Sequence, residues 1–196
     1  MPKEIYYHAG EHIAPSTASD PYLRPAFTLS NRLARLLWHL VWRLFYRPSP
    51  RPLHGWRSLL LRLFGARMGA NCHFYPGSQI WAPWNLRCAD QVTAGDGVEI
   101  YNPAPLEIGS HVILSQGAYI CGATHDFNDP AFPLLAYPMK IDRYAWICAR
   151  AVVAPGLQMG EGAVLGLGAV AVKDLEAWTV YGGNPAIRLK EREKTA

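Results

Sequence analysis

The sequence predicts an all-β chain wound into a parallel β-helix of six-residue repeats, with a helical cap before the stack and a short helix after it. Three observations carry this. The first is a frame in which Ile141, Ile147, Val153, Met159, Leu165 and Ala171 follow one another at every sixth residue, all aliphatic or Met. Four places after the first five stand Ala145, Ala151, Leu157, Ala163 and Ala169, apolar and mostly small. Six residues turn an α-helix through about 600°, so its apolar face would drift. A plain strand would hold period two throughout. Short strands joined by corners, three sides to a coil, satisfy both fixed positions.

The second observation is that the frame runs backwards with a repeating slip. Ile108, Leu114 and Ile120 take the large position and Val112, Ala118 and Thr124 the small one. Before them come Cys88, Ala94 and Ile100 with Val92, Val98 and Ala104, and before those Met68, Phe74 and Ile80. Each group begins 20 residues after the last, where 18 would complete a coil. The two extra residues fall at one corner, in Trp81-Ala-Pro-Trp-Asn-Leu86 and Tyr101-Asn-Pro-Ala-Pro-Leu106. Proline suits a turn that lacks a ladder partner. The third observation is composition: 17 Gly and 16 Pro supply recurrent corners, and a 50% hydrophobic content supplies a core.

Taken in order, residues 1–28 are polar and punctuated by proline, and read as an arm along the body with Tyr6, Tyr7, Tyr22 and Phe27 as anchors. Ser30 or Asn31 caps a helix reaching about Tyr46. Leu33, Leu36, Leu37, Leu40, Val41 and Leu44 recur at spacings of three and four and form one face, which Trp38, Trp42 and Phe45 widen. Arg47-Pro-Ser-Pro-Arg-Pro52 breaks the helix, and a second apolar piece from Trp56 to Phe64 leads into the first coil. Residues 1–66 are thus arm and cap, 67–186 the β-helix and 187–196 a C-terminal helix. From Asn31 to Arg67, inclusive, there are eight arginines and no acidic residue. One use of such a segment is to close the open end of the stack. Another is a basic, aromatic surface for an anionic membrane face or a lipid-linked substrate. The run is too short and too charged to span a bilayer.

The frame breaks once. Ile120 to Ile141 is 21 residues where six would continue it, so an excursion of 15, within about 124–140, leaves the stack. A long loop held by a rigid scaffold is where a catalytic group would be carried. His125 stands at its root, with Asp126 and Asp129 nearby. Imidazole titrates near neutral pH and takes a proton from a hydroxyl, and a carbonyl or carboxylate on its other nitrogen would fix the tautomer. His8 and His12 fall in the arm, His39 and His54 in the cap, and His73 and His111 at outward places of the frame.

Other chemistries find little footing. A net charge of +4 without a recognition motif gives no case for nucleic acid. Cys72, Cys88, Cys121 and Cys148 lack metal-ligand spacing and, no signal peptide being apparent, read as small core residues in a reducing cytosol. No metal is expected. Gly166-Leu-Gly168 is a pair of repeat corners, and neither a P-loop nor a Gly-x-Ser-x-Gly elbow occurs.

These residues resemble the left-handed β-helix acyltransferases. The likeness spans about residues 60–193 and rests on the frame, the His-bearing excursion and the ending Val172-Lys-Asp-Leu175 with Val180-Tyr-Gly-Gly-Asn-Pro-Ala186. Arg47-Pro-Ser-Pro-Arg-Pro-Leu-His-Gly-Trp56, Ile100-Tyr-Asn-Pro-Ala-Pro105 and Thr124-His-Asp-Phe-Asn-Asp-Pro-Ala-Phe-Pro133 are similar to the sugar O-acetyltransferases of bacterial surface polysaccharide synthesis, the colanic acid branch. The resemblance implies direct transfer from acetyl-CoA to a hydroxyl of a sugar or lipid-linked saccharide, with His125 as general base and a backbone N–H meeting the oxyanion. It implies Trp146 lining the acetyl site, with Asn102 and Asp126 toward the acceptor. It sets Cys148, Ala151, Gly168 and Ala169 beside acetyl-CoA, and Lys173 and Arg188 near its phosphates. Cys148, Val172 and Ile187 stand where the family carries Gly, Thr and a basic residue. The family is trimeric, so His125 and part of the groove would come from different chains, in the cytoplasm or peripherally at the inner membrane face. N-acetylation of an amino sugar, acylation of a small xenobiotic and a non-catalytic assembly scaffold are the other readings. Acceptor profiling and thiol release separate them.

Overall fold

The computed structural model describes residues 26–130 and 132–194. Tyr6, Tyr7 and Tyr22 therefore lie outside the described residues. Helix α1 (Leu29–Val41) is capped by Thr28, whose hydroxyl accepts from Asn31 N at 3.3 Å. The cap falls before Ser30 and Asn31 because Ser30 already has helical geometry, and its hydroxyl lies 3.0 Å from that of Thr28. The helix runs on through a wider π turn, Trp42–Tyr46, closed by Arg47 N on Trp42 O.

The aromatic residues of this helix, and not its leucines, face the body. Trp38 donates to Ile80 O (2.6 Å), Trp42 to Ser78 O (2.9 Å) and Tyr46 to Ser78 Oγ (2.7 Å), whose own proton goes to Tyr75 O. All three rings are buried in the main core. The aromatics therefore do not widen the leucine face, except for Phe45. They occupy the opposite side, because the two indole N–H groups satisfy backbone carbonyls that a leucine would leave unpaired, and the phenol meets the Ser78 hydroxyl. Helix α2 (His54–Leu63) adds Leu60 and Leu61 to that core. Arg57 on α2 is fully buried and gathers the proline-rich linker, donating to Ser49 Oγ, Pro50 O, Arg51 O and Phe74 O.

The stack follows at once. Its first coil is β1 (Arg67–Met68), β2 (His73–Phe74) and β3 (Gln79–Ile80); its second is β4 (Leu86–Cys88), β5 (Thr93–Ala94) and β6 (Glu99–Tyr101); its third is β7 (Leu106–Ile108), β8 (Ile113–Leu114) and β9 (Tyr119–Cys121). After an antiparallel hairpin, β10 (Ala123–His125) and β11 (Leu134–Ala136), come β12 (Met139–Ile141), β13 (Trp146–Ile147) and β14 (Val152–Val153), then β15 (Gln158–Met159), β16 (Val164–Leu165) and β17 (Val170–Ala171). Parallel pairing aligns Met68, Cys88, Ile108, Ile141 and Met159 on one face, Phe74, Ala94, Leu114, Ile147 and Leu165 on the second, and Ile80, Ile100, Ile120, Val153 and Ala171 on the third. The 20-residue step is the observed register of the early coils. Its surplus is a single 3₁₀ turn, Pro83–Asn85, in the first of the two proline corners. The small positions Val92, Val98, Val112, Ala118, Ala145, Ala151, Leu157, Ala163 and Ala169 are buried with the large ones, so the prism is filled by side chains from both sets.

Two expectations change. The excursion is a hairpin that leaves at Gly122, and Met139 and Lys140 already belong to the stack, paired with Leu106 and Glu107. Thr124 is therefore on the hairpin and not in a coil. The tail is no helix: Ile187–Glu191 is β19, antiparallel to β18 (Thr179–Gly182). Ile-Arg-Leu-Lys alternates apolar and basic with period two, and the open edge of β18 offers unpaired backbone groups, so a strand satisfies both.

Candidate active site

The hairpin carries His125 and fixes the tautomer of its neutral ring. His125 Nδ1 lies 3.0 Å from Phe132 O. A carbonyl only accepts, so Nδ1 carries the hydrogen, and in the neutral ring the lone pair is on Nε2. The Phe132 ring stacks on the imidazole at 4.5 Å and 12°, which fixes its plane. Phe132 itself has a positive φ of 42°, uncommon for a bulky side chain. Its N–H donates to Asp129 O, and Asp126 N to Pro133 O, so the hairpin tip is held by its own backbone. Ala123, Leu134 and Ala136 bury the hairpin base against Ala104, with Tyr101 and Phe27 packed alongside. Period-two alternation sets His125 on the same side as Ala123, toward the body.

Gly122 sets the take-off. Its N–H donates to Tyr101 O at 2.6 Å, and a Cβ there would sit 2.5 Å from the same oxygen. No real Cβ fits that space, so the chain crosses the coil below at a glycine.

The remaining site residues divide by place. Trp146, on β13, is 42% exposed on the outside of the second face, and its indole N–H donates to Ser115 Oγ at 2.9 Å. Cys148 and Gly168 lie past the ends of β13 and β16, on the corner from the second face to the third, where Gly168 N bonds Ala149 O. Burial pushes the Cys148 thiol up, which keeps it protonated and a poor nucleophile at neutral pH. Lys173, exposed, follows β17 by two residues, as Gly122 follows the aligned Ile120. The hairpin root and Lys173 thus share one edge of the prism, two coils apart. Trp146, Cys148 and Gly168 belong to a different face and corner. A single chain does not bring the two groups together.

Three assignments fail on geometry. Asn102 is 2% exposed, and its carboxamide pairs with Ala82 N (3.0 Å) and Ala82 O (2.9 Å). It stitches two proline corners together and is out of an acceptor's reach. Ala151 and Ala169 are fully buried, with their N–H groups bonded to Cys148 O and Gly166 O. They face the core because the small position of the frame points inward, so they line no groove. Asp126 uses Oδ1 to accept from Asn128 N, a turn-forming role. Arg188 is exposed on β19 beside Glu191 (3.2 Å) and Glu176 (3.8 Å). Sequence reasoning missed Phe132 and Ser115. The first acts through its carbonyl, which every residue has. The second is reached only across the 31-residue separation from Trp146.

A cavity of about 520 Å³ lies elsewhere, between α1 and the third face, lined by Arg35, Trp81, Glu99, Tyr101 and Tyr119 among others. Tyr101 lines both this cavity and the hairpin base, and His125 is not among the residues that line the cavity. Among the described residues no cluster of His, Cys, Asp or Glu is arranged to hold a metal ion, and no helix is long and apolar enough to cross a membrane.

No family model matches the chain. It is 37% identical over 169 residues to the "Putative colanic acid biosynthesis acetyltransferase WcaF" of Escherichia coli K12, covering 86% of this chain and 93% of that protein. Among solved structures it is similar to the hexapeptide-repeat acetyltransferase VCA0836 of Vibrio cholerae complexed with acetyl coenzyme A (TM-score 0.75, 23% identity, 87% of this chain and 93% of that one). It is also similar to a galactoside acetyltransferase in complex with coenzyme A (TM-score 0.78, 20% identity, 85% and 84%). At these identities the structural likeness speaks for the fold.

Proposed function

The chain belongs to the hexapeptide-repeat acetyltransferases of the WcaF type, and from that premise we propose that it transfers an acetyl group from acetyl-CoA to a hydroxyl of a saccharide or lipid-linked saccharide in surface polysaccharide synthesis. The observation that carries this is the Nδ1–H of His125 committed to Phe132 O, which leaves Nε2 as a base of defined direction. Nε2 takes the proton of the acceptor hydroxyl as its oxygen attacks the thioester carbonyl. The C–O bond forms, the tetrahedral intermediate collapses, the C–S bond breaks, and the same proton passes from Nε2 to the departing sulfur. General-base assistance contributes about 10²–10⁴ in rate, and a backbone N–H on the oxyanion roughly 3 kcal/mol more.

The division of the site supports a homotrimer. The edge carrying His125 and Lys173 from one chain would face Trp146, Cys148 and Gly168 of its neighbour. Trp146, held by Ser115, would shield the acetyl group, and Lys173 would meet the phosphates of the coenzyme. The raised thiol of Cys148 fits transfer without a thiol intermediate.

The test is thiol release from acetyl-CoA over a panel of sugars and amino sugars, with the product treated with mild alkali. An alkali-labile ester is expected. An alkali-stable amide would move the chain to N-acetylation, and no release with any acceptor would leave an assembly scaffold.

A further inference from the structure

Helix α1 turns its apolar stripe away from the protein. Trp38, Trp42 and Tyr46 hold one side, whereas Leu33, Leu36, Leu37, Leu40 and Leu44, on the opposite side, are each 53–67% exposed. A surface helix of a globular protein normally buries such a stripe against its own core, and here the core side is already filled by aromatic rings. The stripe continues beyond α1. Phe45 is exposed, Trp56 donates to Phe45 O at 2.9 Å, and Trp56, Leu59 and Leu63 make an exposed row along α2. An apolar surface of this extent marks an interaction site.

The charge beside it selects the occupant. Helical spacing sets Arg32 and Arg43 on the flank of the leucine row, with Arg47 at its end. No acidic residue lies between Asn31 and Arg67. A second copy presenting the same face would oppose arginine to arginine with no carboxylate to receive either. Leucine is also a weak anchor in protein interfaces compared with Trp, Tyr and Arg. A leucine row bordered by arginine and indole is instead the pattern of a helix lying in a lipid headgroup layer, with its apolar side in the acyl boundary and its guanidinium groups on phosphates. We propose that the outer face of α1 and α2 docks the enzyme on an anionic bilayer surface. This goes beyond acetyl transfer and does not require His125 to be the base.

The full chain is to be sedimented with vesicles of pure phosphatidylcholine and with vesicles carrying a quarter phosphatidylglycerol. Binding at least tenfold stronger to the anionic vesicles, and weakening with salt, is expected. The Leu33→Glu/Leu40→Glu double variant, altered at exposed positions away from the hairpin, should lose at least tenfold in vesicle binding while keeping its oligomeric state and its acetyl transfer to a soluble acceptor. Equal sedimentation of wild type and variant overturns the proposal. So does a wild-type chain that ignores both vesicles. In that case a fall in oligomeric mass of the variant would assign the face to a second copy. Vesicle binding gained only on removal of residues 1–25 would assign it to that segment.

Discussion

The contact between His125 and Phe132 has two parts that respond differently to mutation. The carbonyl survives any side-chain change at 132, whereas the stacked ring does not. Phe132→Ala is therefore expected to lower kcat about tenfold through a looser imidazole, with the KM for acetyl-CoA unchanged. A proportional rise in KM instead would show that the ring serves binding. In the sequence His125 stands out only by its place beside the break in the frame, where a lone imidazole is most often a plain polar loop residue; the carbonyl that holds its Nδ1 has no sequence signature. Asn102 was not legible. In sequence it is an amide near the excursion. In the fold it is a buried clamp on Ala82, and such pairing across 20 residues has no local signature. Ala151 and Ala169 were misplaced for a simpler reason: a small residue suits a groove and a tight interior equally, and the frame position decides for the interior.

Among the elements, the hairpin depends on its root. Gly122→Ala must displace Tyr101 O or the hairpin. It should cut turnover by about two decades, the scale of an ångström's misplacement, while circular dichroism of the stack stays unchanged; wild-type turnover would show that the take-off tolerates the shift. In the cap, Arg57→Met takes the shared donor from Ser49 Oγ, Pro50 O, Arg51 O and the buried Phe74 O and should cost roughly 3 kcal/mol, read as a fall of about 6–12 °C in Tm. His54 adds a pH dependence. Burial holds its pKa below the ordinary 6.5; the carbonyl of Phe74 opposes this, and the charges of Arg57 and His73 lower it further. The unfolded chain then takes up the proton first as the solution is acidified. The stability from neutral His54 is complete above about pH 6.5 and drains away as pH falls through the depressed value. Denaturation midpoints should drop in that window, and His54→Gln should flatten the drop. Periodicity revealed that α1 has an apolar face but not which way it turns. Only the Ser78 and Ile80 backbone oxygens, which the two indole N–H groups satisfy, and the Ser78 hydroxyl, which the Tyr46 phenol meets, settle that. The charge of the tail suits a solvated helix, but its period-two alternation decides for a strand on β18.

For the whole molecule, the repeat was the most legible feature. The 20-residue steps, the corner insertions and the buried positions follow from a frame that only a coil of three sides accommodates. Assembly is not written in that frame, because outward positions vary freely. We expect sedimentation equilibrium to give about 65 kDa, three chains of 21.8 kDa each; a 21.8 kDa species would leave the two halves of the site unjoined. Mixed trimers of His125→Ala and Trp146→Glu chains should recover about a quarter of wild-type turnover, the share of neighbours that join two intact halves by chance. A site contained in one chain would recover none. The most direct measurement is the turnover of His125→Ala with acetyl-CoA and a saccharide acceptor, alongside calorimetric binding of coenzyme A. Turnover lower by two decades or more with coenzyme affinity unchanged is the predicted result, and wild-type turnover in that variant would contradict the role given to the imidazole.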